Sequence, residues 1–130
     1  HHPKAIKATI KLGRLFLNEH NKYKRLIAIF QPHRFSRVSE FFIEFANELA
    51  LADKIIITDI YGAGEKNINN ISSSLISTEI FKLNKNVKTV KDNNEIRKNF
   101  NHLTRENDLI INMGAGDCHN LWQILTSKKY

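Results

Sequence analysis

The sequence has a single cysteine, Cys118, and it has no long run of apolar residues. One cysteine cannot form an intrachain disulfide, so packing and hydrogen bonds must hold the fold together. A membrane-spanning helix needs about 20 predominantly apolar residues in a row, and neither such a run nor a secretory signal occurs. We therefore expect a cytoplasmic protein with no membrane partner.

The sequence also lacks a dense block of positive charge, although its net charge is +7. A basic surface can indicate a polyanionic partner such as nucleic acid. The lysines are scattered along the chain, however, and an electrostatic footprint should cluster on one face. We favour a compositional bias and expect no nucleic-acid partner. A nucleic-acid-binding domain remains an alternative, for which affinity should fall steeply with salt.

Internal repeats, linkers and low-complexity tracts are missing as well. The 130 residues, of which 42% are hydrophobic and 25% charged, fit one globular domain over residues 1–130. No Walker loop occurs, because no Gly-Lys-Ser/Thr follows a glycine-rich turn. The full dinucleotide fingerprint is also absent.

Short apolar runs alternate with helical spacing along the chain. Such runs are typical of strands that are buried on both faces of a sheet. Strands joined by helical crossovers predict an α/β fold with a Rossmann-like, mainly parallel sheet and helices on both faces. The predicted strands are 25–30, 53–59, 87–90 and 108–112; the predicted helices are 3–18, 36–52, 72–82, 92–102 and a last one that includes Leu121, Trp122, Ile124 and Leu125.

Ligands of such sheets bind beyond the carboxyl ends of the strands, where three loops carry unusual residues. The first loop, 31–37, places His33, Arg34 and Arg37 at a helix start, with Ser36 as the predicted N-cap. Cations are disfavoured at a helix N-terminus, so two arginines there indicate a bound anion, which guanidinium groups grip in pairs. Solvated surface arginines are the alternative.

The other two loops carry weaker signals. In the second, 59–65, Asp59 or Glu65 could contact a ligand amine, or a metal through water, or be solvated in an ordinary turn. The third loop has glycines that let backbone amides approach a ligand, but Gly-x-Gly after a strand is weak by itself. Its residues are Gly114, Ala115, Gly116 and Asp117.

These motifs together resemble the C-terminal, amino-acid-binding domain of the Mur ligases. The resemblance begins at His1-His2-Pro3, which matches part of the family pattern Asp-Asp-Tyr-x-His-His-Pro. Its most specific segment is Phe30-Gln31-Pro32-His33-Arg34, and it resumes at the loops 59–65 and 113–117. Phe35 stands where the family usually has tyrosine, and Gly62 stands where alanine is common.

The resemblance implies a bacterial ATP-dependent ligase that joins L-alanine to UDP-N-acetylmuramate through an acyl phosphate. ATP and magnesium would bind mainly to a central domain of the same polypeptide, and neither that domain nor the N-terminal domain is in this sequence. Arg34 and Arg37 would hold the alanine carboxylate or the phosphates. The resemblance places His1, His33, Tyr61 and the turn of Gly114, Ala115, Gly116 and Asp117 around the same pocket. A self-standing Rossmann-like module that binds a nucleotide or anion is the alternative.

Overall fold

The computed structural model describes residues 2–114 and, for the backbone alone, residues 123–126. Strands and helices alternate as the sequence predicts, beginning with a helix of 17 residues that has Pro3 at its first position. In chain order the elements are α1 (Pro3–Glu19), β1 (Arg25–Phe30), α2 (Phe35–Leu49), β2 (Lys54–Ile57), α3 (Ser74–Leu83), β3 (Val87–Thr89), α4 (Asn93–Lys98), α5 (Phe100–Leu103), β4 (Asp108–Met113) and β5 (Gln123–Thr126).

The five strands form one sheet in the order β3-β2-β1-β4-β5. The pairs β1–β2, β1–β4 and β2–β3 are parallel, while β5 runs antiparallel to β4 at the edge. After β1 the chain adds β2 and β3 on one side of it, and it then crosses back to add β4 on the other side of β1. The strand order therefore reverses between β1 and β4, which is where ligands bind in open α/β sheets.

Alternate residues of the central strands point into two separate apolar layers. Ala28 and Phe30 of β1 lie in the layer that packs against α1, α2 and α3, whereas Ile27 and Ile29 lie in the layer beneath α4 and α5. Side chains of a strand alternate between the two faces of a sheet, so a strand covered on both sides must be apolar throughout. This confirms the Rossmann-like sheet with helices on both faces.

Two predictions about elements are wrong. The predicted last helix included Ile124 and Leu125, which instead belong to β5 and pair with Ile111 and Ile110 of β4. A short apolar run fits a strand or a buried helix equally well, and the open edge of β4 decides for the strand. The single predicted helix 92–102 is two helices, because the hydrogen-bond pattern breaks at Asn99 between α4 and α5.

A bidentate ion pair joins α1 to the start of β1 and β2 at the amino edge of the sheet. The Arg14 guanidinium donates to both carboxylate oxygens of Asp53 at 2.9 Å. The same carboxylate accepts from the buried Leu26 backbone amide at 2.7 Å. Burial alone would raise the pKa of Asp53, but these hydrogen bonds outweigh it and bring the pKa below its ordinary value of 3.8.

We expect Asp53→Ala to lower the free energy of unfolding by about 2 kcal/mol, because it removes three hydrogen bonds and leaves the Leu26 amide without its acceptor. Asp53→Asn should cost less, since one side-chain oxygen remains. The folded state holds the pKa of Asp53 low, so its stabilisation is fully present above the ordinary value and is lost as the pH falls through the folded value.

Denaturant unfolding from about pH 7 down to about pH 3 measures this, and the gap between wild type and Asp53→Ala should narrow over the acid end. Exposed Glu106 supplies the control variant Glu106→Ala. A gap that stays constant down to the lowest pH would contradict the role of the ionised carboxylate.

Candidate anion-binding site

Three strands end at the same height at the carboxyl edge of the sheet. Phe30, the last residue of β1, pairs with Ile57 of β2 on one side and with Met113 of β4 on the other. The three loops that follow these strands therefore leave the sheet side by side, around the point where the strand order reverses. The Gln31 amide donates to the Met113 carbonyl at 3.1 Å, which joins the first loop to the end of β4.

The first and second loops are joined by a short parallel β-bridge between His33 and Tyr61. The Tyr61 amide donates to the Pro32 carbonyl and the Arg34 amide donates to the Tyr61 carbonyl, both at 2.8 Å. The rings of His33 and Tyr61 stack with their centroids 5.7 Å apart and 10° between their planes. Two loops that are far apart in sequence thus form one surface.

Arg34, not Ser36, is the N-cap residue of α2, so the predicted cap is wrong. Arg34 has φ 70° and ψ 132°, and within the described residues its side chain makes no capping hydrogen bond. A positive φ strains any residue with a Cβ, and such strain concentrates at functional sites. In this conformation the Arg34 amide is bonded to the Tyr61 carbonyl. The helix begins at Phe35, one residue before Ser36.

Glu65 supplies the negative charge that the first turn of α2 does not have. Its Oε1 accepts from the Ser36 backbone amide at 2.8 Å, and its Oε2 accepts from the Ser36 hydroxyl at 2.6 Å. These two bonds lower the pKa of Glu65 below its ordinary value, with a smaller contribution from the positive charge of Arg34. The carboxylate is therefore ionised at neutral pH.

His33 is neutral at neutral pH. Burial lowers its pKa below the ordinary value of 6.5, and the positive charges of Arg34 and Arg37 lower it further. The imidazole consequently adds little positive charge to this edge, and the two arginines are the main cations of the first loop. A neutral imidazole keeps one nitrogen as a hydrogen-bond donor and the other as an acceptor.

The structure brings together those predicted site residues that it describes. Arg34 is exposed and Arg37 is half-buried on the first turn of α2, while Tyr61 is 45% exposed beside His33. Gly114 follows β4 directly and is half-buried at the same edge. His1, Ala115, Gly116 and Asp117 lie outside the described residues.

His2, the residue after His1, is described by the structure and lies near this edge of the sheet. The His2 ring packs against Phe41 of α2 with the centroids 5.3 Å apart, and its Nδ1 accepts from the Lys4 amide at the start of α1. The start of α1 therefore lies beside the second turn of α2. The sequence resemblance, rather than any spacing, was the signal for this proximity.

Sequence reasoning missed the internal role of Glu65, for which it considered a ligand amine, a metal through water, or solvent. A usable signal was the absence of any acidic residue in the first turn of α2 next to an arginine at the helix start. A helix N-terminus favours a nearby carboxylate, which the chain can also supply from another loop.

The described residues do not fit a resident metal ion. Among residues 2–114, no group of three or more His, Cys, Asp or Glu side chains is arranged to hold one. Each carboxylate oxygen of Glu65 accepts a hydrogen bond from Ser36. Likewise, no helix in this described part is long and apolar enough to cross a membrane.

Gly62 packs directly against Phe35, so two positions that depart from the family pattern are in contact. A Cβ on Gly62 would lie 2.8 Å from Cε2 of Phe35 and 3.3 Å from the carbonyl oxygen of Glu65. The ring of Phe35 therefore leaves too little room for an alanine methyl group at position 62. The packing of Phe35 explains why a glycine occupies that position.

A mainly parallel α/β sheet with helices on both faces defines a Rossmann-like domain, and its carboxyl edge carries Arg34 and Arg37. The family model described as "Mur ligase, glutamate ligase domain" matches residues 1–116. The chain belongs to the Mur ligase family, which confirms the resemblance seen in its loops.

Curated relatives of this chain are also ligases by name. A UDP-N-acetylmuramate--L-alanine ligase of Prochlorococcus marinus subsp. pastoris is 60% identical over 133 residues, covering 98% of this chain and 28% of the relative. Proteins of the same name from Lachnoclostridium phytofermentans and Caldanaerobacter subterraneus are 39% and 40% identical, covering 98% and 93% of this chain. The chain spans 28%, 26% and 25% of the length of these three relatives.

We expect Gly62→Ala to destabilise the domain by about 1 kcal/mol, because the clash with Phe35 exceeds the gain from restricting the unfolded backbone. Phe35→Leu removes Cε2 and should relieve most of that loss in the double variant. A double-mutant cycle of denaturant unfolding measures the coupling.

Gly64→Ala is the matched control. Gly64 has φ 84° and nothing within 4 Å of an added Cβ, so its loss should come from backbone strain and should not change with Phe35→Leu. Equal coupling of both glycines to Phe35 would refute the contact as the cause.

Proposed function

We propose that the complete polypeptide is an ATP-dependent ligase that joins L-alanine to UDP-N-acetylmuramate in peptidoglycan precursor synthesis in the bacterial cytoplasm. Residues 1–130 would be its C-terminal domain, working with a central ATP-binding domain and an N-terminal domain outside this sequence. The main support is that relatives named for this reaction align with 93–98% of the chain at 39–60% identity.

The reaction is amide formation through an activated carboxylate. ATP phosphorylates the muramate carboxylate to give an acyl phosphate and ADP. The amine of L-alanine then attacks the acyl carbon, the tetrahedral intermediate expels phosphate, and the nitrogen loses a proton. Negative charge increases on the oxygens during the attack, so fixed positive charge nearby stabilises the transition state.

Arg34 and Arg37 are the groups of this domain proposed to bind the anions, either the carboxylate of L-alanine or the phosphates. A guanidinium binds either through paired hydrogen bonds. Neutral His33 and stacked Tyr61 would line the amino-acid side together with His1 and the turn of Gly114, Ala115, Gly116 and Asp117. Magnesium neutralises phosphate charge when it is bound, and we assign no residue of this domain to it.

The geometry that supports this assignment most directly is the joining of the first two loops beside the reversal point of the sheet. The Phe-Gln-Pro-His-Arg segment lies at the end of β1, and its arginine backbone is bonded to Tyr61 at 2.8 Å. Pre-organised groups of this kind lose little freedom when a ligand binds, so they suit a domain that completes an active site.

Phosphate release by the complete polypeptide tests the proposed reaction. With ATP, magnesium and UDP-N-acetylmuramate present, release should depend on L-alanine and respond weakly to other amino acids or to a tripeptide. If all substrates are present and no amino acid stimulates release, the proposed function is wrong, and an anion-binding module without catalysis becomes the better explanation.

Arg37→Ala tests the role of the arginines in that assay. Loss of a charged hydrogen bond to an anion costs about 1.5–3 kcal/mol, so we expect kcat/KM for L-alanine to fall roughly 10- to 100-fold. Arg97→Ala, on the exposed face of α4, is the control and should leave the kinetics unchanged. Unchanged KM for L-alanine, KM for ATP and kcat in Arg37→Ala would remove the assignment.

A further inference from the structure

Glu65 is an acidic residue from another loop that is bonded to the start of the helix that carries the two arginines. Its two oxygens are 2.8 Å from the Ser36 amide nitrogen and 2.6 Å from the Ser36 hydroxyl. Each oxygen already accepts one hydrogen bond from Ser36, so neither an amine nor a metal is needed to explain the position of this carboxylate. Its contacts point instead to a role inside the protein.

Ser36 lies between Arg34 and Arg37, so Glu65 holds the backbone that joins them. A serine bonded through its amide and its hydroxyl to the same carboxylate cannot rotate or shift without breaking one of two hydrogen bonds. At least one bond is charge-assisted, and such bonds are roughly twice as strong as neutral ones. Glu65 therefore restrains the backbone that joins the two arginines.

A second contact from the same loop holds the other side of Arg34. The Tyr61 carbonyl accepts from the Arg34 amide at 2.8 Å, and Arg34 has φ 70°. Strained backbone of this kind costs on the order of 1–3 kcal/mol and persists only where surrounding contacts fix it from more than one side. Tyr61 provides one of these contacts and Glu65, through Ser36, provides another.

A tight turn sets the position of the Glu65 carboxylate. The Glu65 amide donates to the Gly62 carbonyl at 3.0 Å, and the two residues between them have positive φ, 54° for Ala63 and 84° for Gly64. Positive φ at both central residues is the geometry of a type I′ turn. The chain thus reverses sharply after Tyr61 and brings Glu65 back to the helix start.

We propose that Glu65 is a positioning residue for the amino-acid substrate: its carboxylate fixes the backbone between Arg34 and Arg37 and so sets the spacing of the pair. The inference rests on the proposed function and deepens it. The proposed role of Glu65 is exerted through Ser36 and the two arginines, and not on a reacting group.

The test is a set of three variants of the complete polypeptide, assayed for L-alanine-dependent phosphate release. Glu65→Ala removes both hydrogen bonds and should raise KM for L-alanine on the order of tenfold. Ser36→Ala removes the hydroxyl bond and keeps the amide bond, so its effect should be smaller. Glu65→Gln keeps an oxygen for the Ser36 amide and should restore most of the wild-type KM.

A merely structural role would not produce this pattern. KM for UDP-N-acetylmuramate and the thermal midpoint should stay at wild-type values in Glu65→Gln and Ser36→Ala. Glu44→Ala removes an exposed carboxylate from the same helix and is the matched control, expected to change nothing. Loss of all substrates' affinity together with a lower thermal midpoint in every variant would overturn the positioning role.

Two other outcomes would also overturn it. A lower KM for L-alanine in Glu65→Ala would mean that the carboxylate occupies the place of the substrate's own carboxylate. An unchanged KM in all three variants, with active wild type, would mean that the arginines keep their positions without Glu65 while the proposed function stands.

Hydrogen exchange separates failure of the inference from failure of the function. If the wild type releases no phosphate with L-alanine, the proposed function fails. Amide exchange of residues 34–38 in the complete polypeptide then still tests the positioning role. Exchange should be faster in Glu65→Ala than in wild type and Glu44→Ala, and equal exchange in all three would reject it.

Discussion

The position of β1 in the middle of the sheet is the constraint on which the site depends. Its last residue, Phe30, pairs with the ends of both neighbouring strands, so three chain segments leave the sheet at one level. A shift of register by one residue would turn each side chain of β1 to the opposite face, and it would break the 2.9 Å ion pair between Arg25 and buried Asp108. Because both faces of β1 are buried and apolar, polarity alone does not fix this register; the ion pair of Arg25 with Asp108 and the packing of each layer do.

The sequence predicted those parts of the fold that depend on local patterns. The strand 25–30 is predicted with its observed ends, because six residues are few for a helix and Gln31-Pro32 follows the run directly. The helix cap at Ser36 and the last helix were wrong, since Tyr61 and the edge of β4 decide these positions from far along the chain. The strand order depends on pairing between distant segments and could not be predicted.

The candidate site also contains both residues that a local pattern predicts and contacts that only the folded chain reveals. The arginines were predicted from charge that is unusual at a helix start, and His33 and Tyr61 were predicted as site residues from the resemblance. Glu65 was singled out in the sequence, but its hydrogen bonds to Ser36 were not predicted, because Ser36 is 29 positions away and no pattern of spacing connects the two residues. An internal carboxylate at a helix start that also carries two cations explains how positive charge can be tolerated there without a ligand.

The first helix is held near each of its ends by a different part of the domain. The bidentate pair with Asp53 fixes Arg14 at the amino edge of the sheet, and the His2 ring rests on Phe41 at the carboxyl edge. A helix of 17 residues is about 25 Å long, so these contacts make α1 a stiff rod across the domain. A displacement of α1 as a unit would therefore act on both edges of the sheet at once, including the edge that carries the arginines.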